Sequence, residues 1–189
     1  MAGSGGNGGG ALVAARRLHN WGAQVSVSLA KPEDKMTEVP LKQLSILKHM
    51  GVPCSAGIAS SKAGDPPSVI LDGLIGYSLK GAPYGTTADM IKWANSQAAK
   101  ILSLDTPSGI DTTTGTVFDP VISAAATMTL ALPKEGLRHR DAIKHIGELY
   151  LADISVPPSL YSKPPLDLDV GPIFSSSDIV RIRSEQLTS

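Results

Sequence analysis

Apolar and polar residues follow two alternating periods along this chain. Over residues 11–21, Ala11, Ala14, Ala15, Leu18 and Trp21 share one helical face, Arg16, Arg17, His19 and Asn20 share the other, and Gly22 supplies a stop. Val25, Val27 and Leu29 then alternate as in a strand. Pro40 suits the first turn of a second helix that carries Leu41, Leu44, Leu47 and Met50 and closes at Gly51. Val69, Ile70 and Leu71 are continuously apolar, the pattern of a strand buried on both faces. A helix with Ala88, Ile91, Ala94 and Ala98 follows, then a second buried strand over 101–104. Further strands are predicted over 127–132 and 148–152, a Pro-rich surface stretch over 157–165, and a short last element near 179–182. Strands separated by helices predict an α/β domain with a mostly parallel sheet and helices on both faces.

In an open parallel sheet, ligands bind beyond the carboxyl ends of the strands. Asp72 ends the first buried strand and Asp105 the second, so two carboxylates are expected on one edge. Either Asp alone also suits an ordinary cap or turn, and Pro107, Ser108 and Gly109 form turn chemistry directly after Asp105. The glycine run over 3–10 precedes the first helix, whose free N–H groups are expected on the same edge. That run also reads as a flexible linker. A second loop (Gly76, Tyr77, Ser78, Leu79, Lys80, Gly81, Ala82) is either a plain connection or a phosphate cradle with Lys80 as a point charge.

Composition narrows the classes. Of 19 glycines, six lie in the first ten residues, so the excess is local. With 17 acidic and 17 basic side chains the formal net charge is zero, which removes the basic field expected of a nucleic-acid or anionic-membrane binder. One cysteine, Cys54, excludes an internal disulfide and a cysteine zinc cluster. The four histidines lack metal-ligand spacing. The most apolar stretch, over 121–133, is interrupted by Ser123, Thr127 and Thr129, so no membrane span is expected. A glycine-rich start does not read as a secretory signal, and the expectation is a soluble, cytoplasmic, single-domain chain.

Five ordered segments carry a resemblance. Residues 3–16 (Gly3, Ser4, Gly5, Gly6, Asn7, Gly8, Gly9, Gly10, Ala11, Leu12, Val13, Ala14, Ala15, Arg16) resemble the GxGNNGGDGLVAAR loop and helix of the YjeF N-terminal domain family of NAD(P)H-hydrate epimerases. Residues 71–76, 104–111, 132–137 and 147–154 are similar to that family's further motifs in the same order. The resemblance implies a three-layer Rossmann-like sandwich and interconversion of the R and S forms of hydrated NAD(P)H. It implies a potassium ion held by Asn7, Asp72 and Ser108. It also implies that the hydrated dinucleotide is held by Gly6, Asn7, Gly8, Gly9 and Gly10, by Gly76 through Ala82, and by Asp105, with Asp105 as acid/base. The substrate NAD(P)HX would be the small-molecule partner, with no nucleic acid or membrane partner, and relatives suggest a homodimer.

The chain departs from the motif at Gly6, where the family has Asn, and at Gly10 and Ala11, where it has Asp and Gly. Only Met1 and Ala2 precede the glycine run, where the family has helices and a strand. The expectation over 1–189 is therefore a domain of this type without its usual first helices and first strand. These departures keep a second reading open: a catalytically degenerate ligand-binding or scaffold domain that acts through protein partners, as relatives do in RNA-decapping assemblies.

Overall fold

The computed structural model describes residues 1–58 and 66–183. Five helices, α1 (Gly6–Asn20), α2 (Glu38–His49), α3 (Gly85–Ser96), α4 (Arg140–Ile146) and α5 (Pro158–Tyr161), accompany seven strands. The strands are β1 (Val27–Leu29), β2 (Cys54–Ala56), β3 (Val69–Asp72), β4 (Lys100–Leu104), β5 (Ala126–Leu130), β6 (Glu148–Ala152) and β7 (Ile179–Ile182). β1 and β2 pair in parallel, and β3, β4, β5 and β6 form a second parallel set in sequence order. β7 closes the far edge antiparallel to β6. The chain reaches β7 from β6 by a long connection that carries α5, and each parallel step needs a crossover.

Met1 and Ala2 join the two sets. Ala2 bridges Leu29 on one side and Gly73 on the other, both in parallel. Its N–H donates to Ser28 O and its carbonyl accepts from Ala30 N–H, each at 2.9 Å. On the opposite side Gly3 N–H donates to Gly73 O and Gly73 N–H to Met1 O, each at 3.0 Å. The two residues ahead of the glycine run thus complete one continuous twisted surface.

Side-chain parity builds the layers. Leu12 and Ala15 of α1 and Leu44 and Leu47 of α2 bury against Val27 and Leu29, with Leu104 packed beside them. Met90, Ile91 and Ala94 of α3 cover Ile70 and Ile101 on the other face. Ile101 and Leu104 differ by an odd number of positions, so they must leave β4 on opposite sides. Ala142 and Ile146 of α4 continue the α3 layer against Leu149, with Ile110 and Leu137. Helices therefore flank both faces, as the periodicity predicts.

Element boundaries differ where glycine is involved. The pattern starts the first helix at Ala11, yet α1 begins at Gly6. Helical glycine costs about 0.5–1 kcal/mol relative to alanine, so propensity alone disfavours this start. Close packing outweighs it: a Cβ on Gly8 would stand 1.9 Å from Gly3 O. Strand β2 and helix α4 have no counterpart in the sequence reading, because both are short and neither carries a full period.

Candidate functional site

Asp72 is the last residue of β3 and is fully buried. Its Oδ1 accepts the Ser108 hydroxyl at 2.7 Å and Leu74 N–H at 3.2 Å. Oδ2 accepts the Ser103 hydroxyl and Ser108 N–H, each at 2.9 Å. Two carboxylate oxygens offer about four lone-pair sites, and all four are used. Burial pushes the carboxyl above its ordinary value, against the pull of those four bonds. The Ser108 hydroxyl also accepts Ile75 N–H at 2.9 Å, which ties the Gly76 loop to the carboxylate.

Asn7 enters from the first turn of α1. Its amide nitrogen donates to Leu104 O at 3.0 Å, which leaves the amide oxygen as an acceptor. Gly76 lies against it: a Cβ there would stand 3.2 Å from Asn7 Cβ and 3.6 Å from Asp105 Oδ2. Asn7, Gly76 and Asp105 therefore converge at one point, with Ser108 and Asp72 directly behind.

Asp105 follows β4 in a left-handed backbone conformation, φ 66°, rarely occupied by non-glycine residues. Its N–H donates to Met128 O at 2.7 Å, which pins the turn to β5. Its side chain is buried, and Oδ1 pairs with Lys134 Nζ at 2.6 Å. Lys134 has no assigned role in the sequence reading. Its position just past β5, on the edge that already carries Asp72 and Asp105, is the signal that could have found it.

The glycines divide into two groups. Gly8 and Gly9 are buried, and Gly8 could not carry a side chain. Gly6 and Gly10 are exposed with open space around a Cβ, so the larger residues of the family motif would fit at these positions. In the second loop Gly76 lies at the convergent point. Tyr77, Ser78, Lys80 and Ala82 are exposed, Leu79 and Gly81 half-buried, and the Tyr77 carbonyl accepts a long 3.5 Å bond from Thr112. A cleft of about 510 Å³ lies elsewhere, lined by Thr114, Thr116, His139, Asp141 and Lys144, and contains none of these residues. Among the described residues no three His, Cys, Asp or Glu side chains cluster as a metal site.

Asn7, Asp72 and Ser108 offer an amide oxygen, a carboxylate and a hydroxyl. A hard monovalent cation prefers oxygen donors of this kind. The donor types suit the ion; the Asn7 amide oxygen is open to it, whereas at Asp72 it would have to displace part of a network of four protein donors.

An open, mostly parallel α/β sheet with its buried polar groups beyond the carboxyl ends of adjacent strands defines a ligand-binding α/β protein. Residues 1–136 match the family described as YjeF-related protein N-terminus, and the chain belongs to that family. The match ends ahead of the segment 147–154. The NAD(P)H-hydrate epimerase of Dehalogenimonas lykanthroporepellens is 41% identical over 170 residues, 86% of this chain and 64% of that protein. The NAD(P)H-hydrate epimerase of Truepera radiovictrix is 34% identical over 182 residues, 96% of this chain and 78% of that protein. A bifunctional NAD(P)H-hydrate repair enzyme from Hyperthermus butylicus is 36% identical over 162 residues, with 84% of this chain and 30% of that protein covered. The chain thus spans less than two thirds of the Dehalogenimonas protein and under a third of the Hyperthermus one. The crystal structure of yeast ynu0 (YNL200c) shares the fold, with a TM-score of 0.74 at 23% identity over 96% of this chain and 75% of that one. No helix among the described residues is long and apolar enough to cross a membrane.

Proposed function

We propose that this chain interconverts the R and S forms of hydrated NADH or NADPH. One observation carries the reading: a buried Asp105, held by Lys134 in a left-handed turn, faces Gly76 and Asn7 in a chain of this family. The Dehalogenimonas and Truepera relatives are NAD(P)H-hydrate epimerases by name, which supports the reading.

The chemistry asks for one proton-exchanging group beside C6 of the nicotinamide ring. The ring nitrogen pushes electrons toward C6, the C6–O bond breaks, and Asp105 gives its proton to the leaving oxygen, releasing water. Water then adds to the opposite face of the cationic ring and loses its proton to the carboxylate, which restores Asp105. General acid/base catalysis of this kind contributes about 10²–10⁴-fold. The N–H groups at the start of α1, ahead of Gly9 whose own N–H closes on Gly5 O, suit the diphosphate. Asn7, Asp72 and Ser108 would hold potassium, whose charge would help seat that anion.

The test is conversion of R-NADHX to the S form, followed by chromatography beside an Asp105→Ala control. Conversion above the spontaneous rate, lost in the control, is expected; parent and control both at the spontaneous rate would overturn the reading. The scaffold alternative draws on the substitutions at Gly6 and Gly10, and both positions leave the convergent residues in place.

A further inference from the structure

The segment 132–137 is, with 147–154, a family-like motif to which the sequence reading gives no site residue. Its parts divide between anchoring and chemistry. Leu137 is fully buried, and its N–H donates to Lys134 O at 3.0 Å. Gly136 N–H donates to Thr112 O at 2.8 Å, and a Cβ on Gly136 would stand 2.5 Å from Asp111 O. Backbone packing thus locks the turn on either side of Lys134. The ammonium donates to Leu130 O at 2.7 Å, which holds it as an ion-pair partner 2.6 Å from Asp105 Oδ1, an oxygen with no hydrogen-bond donor of its own. Lys134 and Asp105 side chains are 22% and 8% exposed, so water competes little for either partner.

The two oxygens of Asp105 are therefore unlike. Oδ1 is committed to Lys134, and Oδ2 lies on the side of Gly76 and Asn7. We propose that Lys134 is a positioning residue: by holding Oδ1 it aims Oδ2 at the substrate carbon, and Oδ2 alone exchanges the proton. An aspartate carboxylate, turning about χ1 and χ2, would otherwise swing between orientations, and a misplacement of about 1 Å can cost about 10²-fold in rate. This rests on the acid/base reading of Asp105. A purely structural ion pair would give a different result: removing it would lower stability and leave the turnover of the folded protein unchanged.

Lys134→Met removes the charge and keeps most of the stem. Measured as R-to-S conversion of NADHX, kcat is expected to fall about tenfold to a hundredfold with KM changed less than about threefold. Lys134→Arg, which keeps a cation within reach of both acceptors, is expected to recover at least half of that loss on a logarithmic scale. The same Lys134→Met change placed on Asp105→Asn is expected to alter the residual rate less than about twofold, because a residue that acts through Asp105 has nothing left to position. A Lys134→Met protein that keeps the parent kcat, or one that loses as much on the Asp105→Asn background as on the parent, overturns the proposal. If the methionine variant does not fold, Lys134→Gln takes its place and is read in the same way: a kcat loss on the parent that vanishes on Asp105→Asn supports the role, and a parental kcat overturns it. A parent chain no faster than the spontaneous reaction overturns the epimerase reading itself. An active parent, an inactive Asp105→Asn and an unaffected Lys134→Met overturn only the role of Lys134.

Discussion

Ser108 holds both oxygens of Asp72, its hydroxyl on Oδ1 at 2.7 Å and its N–H on Oδ2 at 2.9 Å. One residue from the turn after β4 thereby fixes the carboxylate that ends β3, and through Ile75 N–H it also sets the entry to the Gly76 loop. Ser108→Ala would remove one bond to a charged group and leave Ile75 N–H unpaired. A loss of about 1–3 kcal/mol in urea-unfolding stability is expected. A loss below about 0.5 kcal/mol would show that the hydroxyl holds neither partner.

If Asp72 belongs to a potassium site as proposed, the response to the ion should depend on pH. Burial raises its carboxyl in the folded chain above its ordinary value of 3.8, so the folded state binds the proton more tightly than the unfolded one. Its contribution to stability therefore falls as pH rises from 3.8 through the raised folded value, and above that value the whole penalty is present. A bound cation offsets that penalty only where Asp72 is ionised. Replacing tetramethylammonium by potassium should raise Tm at pH near neutrality, and the gain should shrink on acidification. An equal gain in Asp72→Asn would place the ion elsewhere.

The start of α1 offers a paired test of glycine. Gly8→Ala would put a methyl 1.9 Å from Gly3 O and force the Met1–Gly3 segment away from β3. It should cost about 1–3 kcal/mol or more. Gly10→Ala meets nothing within 4 Å and lies inside the helix. It should stabilise the chain by about 0.5–1 kcal/mol. Thermal unfolding of the two variants checks the sign of each, and equal effects would contradict this account of the packing.

Core position predicts the cost of truncation. Leu137 is fully buried against Ile110 and α4, so Leu137→Ala should cost about 2–5 kcal/mol. Leu102, 37% exposed on the face of β4 opposite Ile101, should cost about 1 kcal/mol as alanine. Comparable losses at both sites in denaturant titration would mean that the Leu102 face is covered in solution.

Much of the site was legible in the chain because its signals are local. Asp72 and Asp105 each follow a short apolar run, and the edge rule for parallel sheets brings them together without knowledge of the packing. Asn7 and Ser108 were reachable only through the family-like motifs, since an Asn among glycines and a Ser in a turn have ordinary explanations. Lys134 escaped because a lysine after a strand carries no pattern of its own; its meaning lies in the contact with Asp105. In the second glycine loop Gly76 lies against Asn7 and Asp105, while Tyr77, Ser78, Lys80 and Ala82 face solvent, a division that the loop's composition does not announce.

The sequence by itself determined the α/β class, the order of most helices and strands, and the edge where polar residues gather. Hydrophobic period and strand-terminal residues are properties of neighbouring positions, so they survive without the fold. Tertiary structure decided which strands pair, that Ala2 bridges β1 and β3, that α1 starts inside the glycine run, and that Lys134 reaches Asp105. Each of these depends on groups distant in the chain meeting at van der Waals or hydrogen-bond distance. Periodicity carries no record of such meetings, and at Gly8 packing against Gly3 outweighs the local preference against a glycine helix.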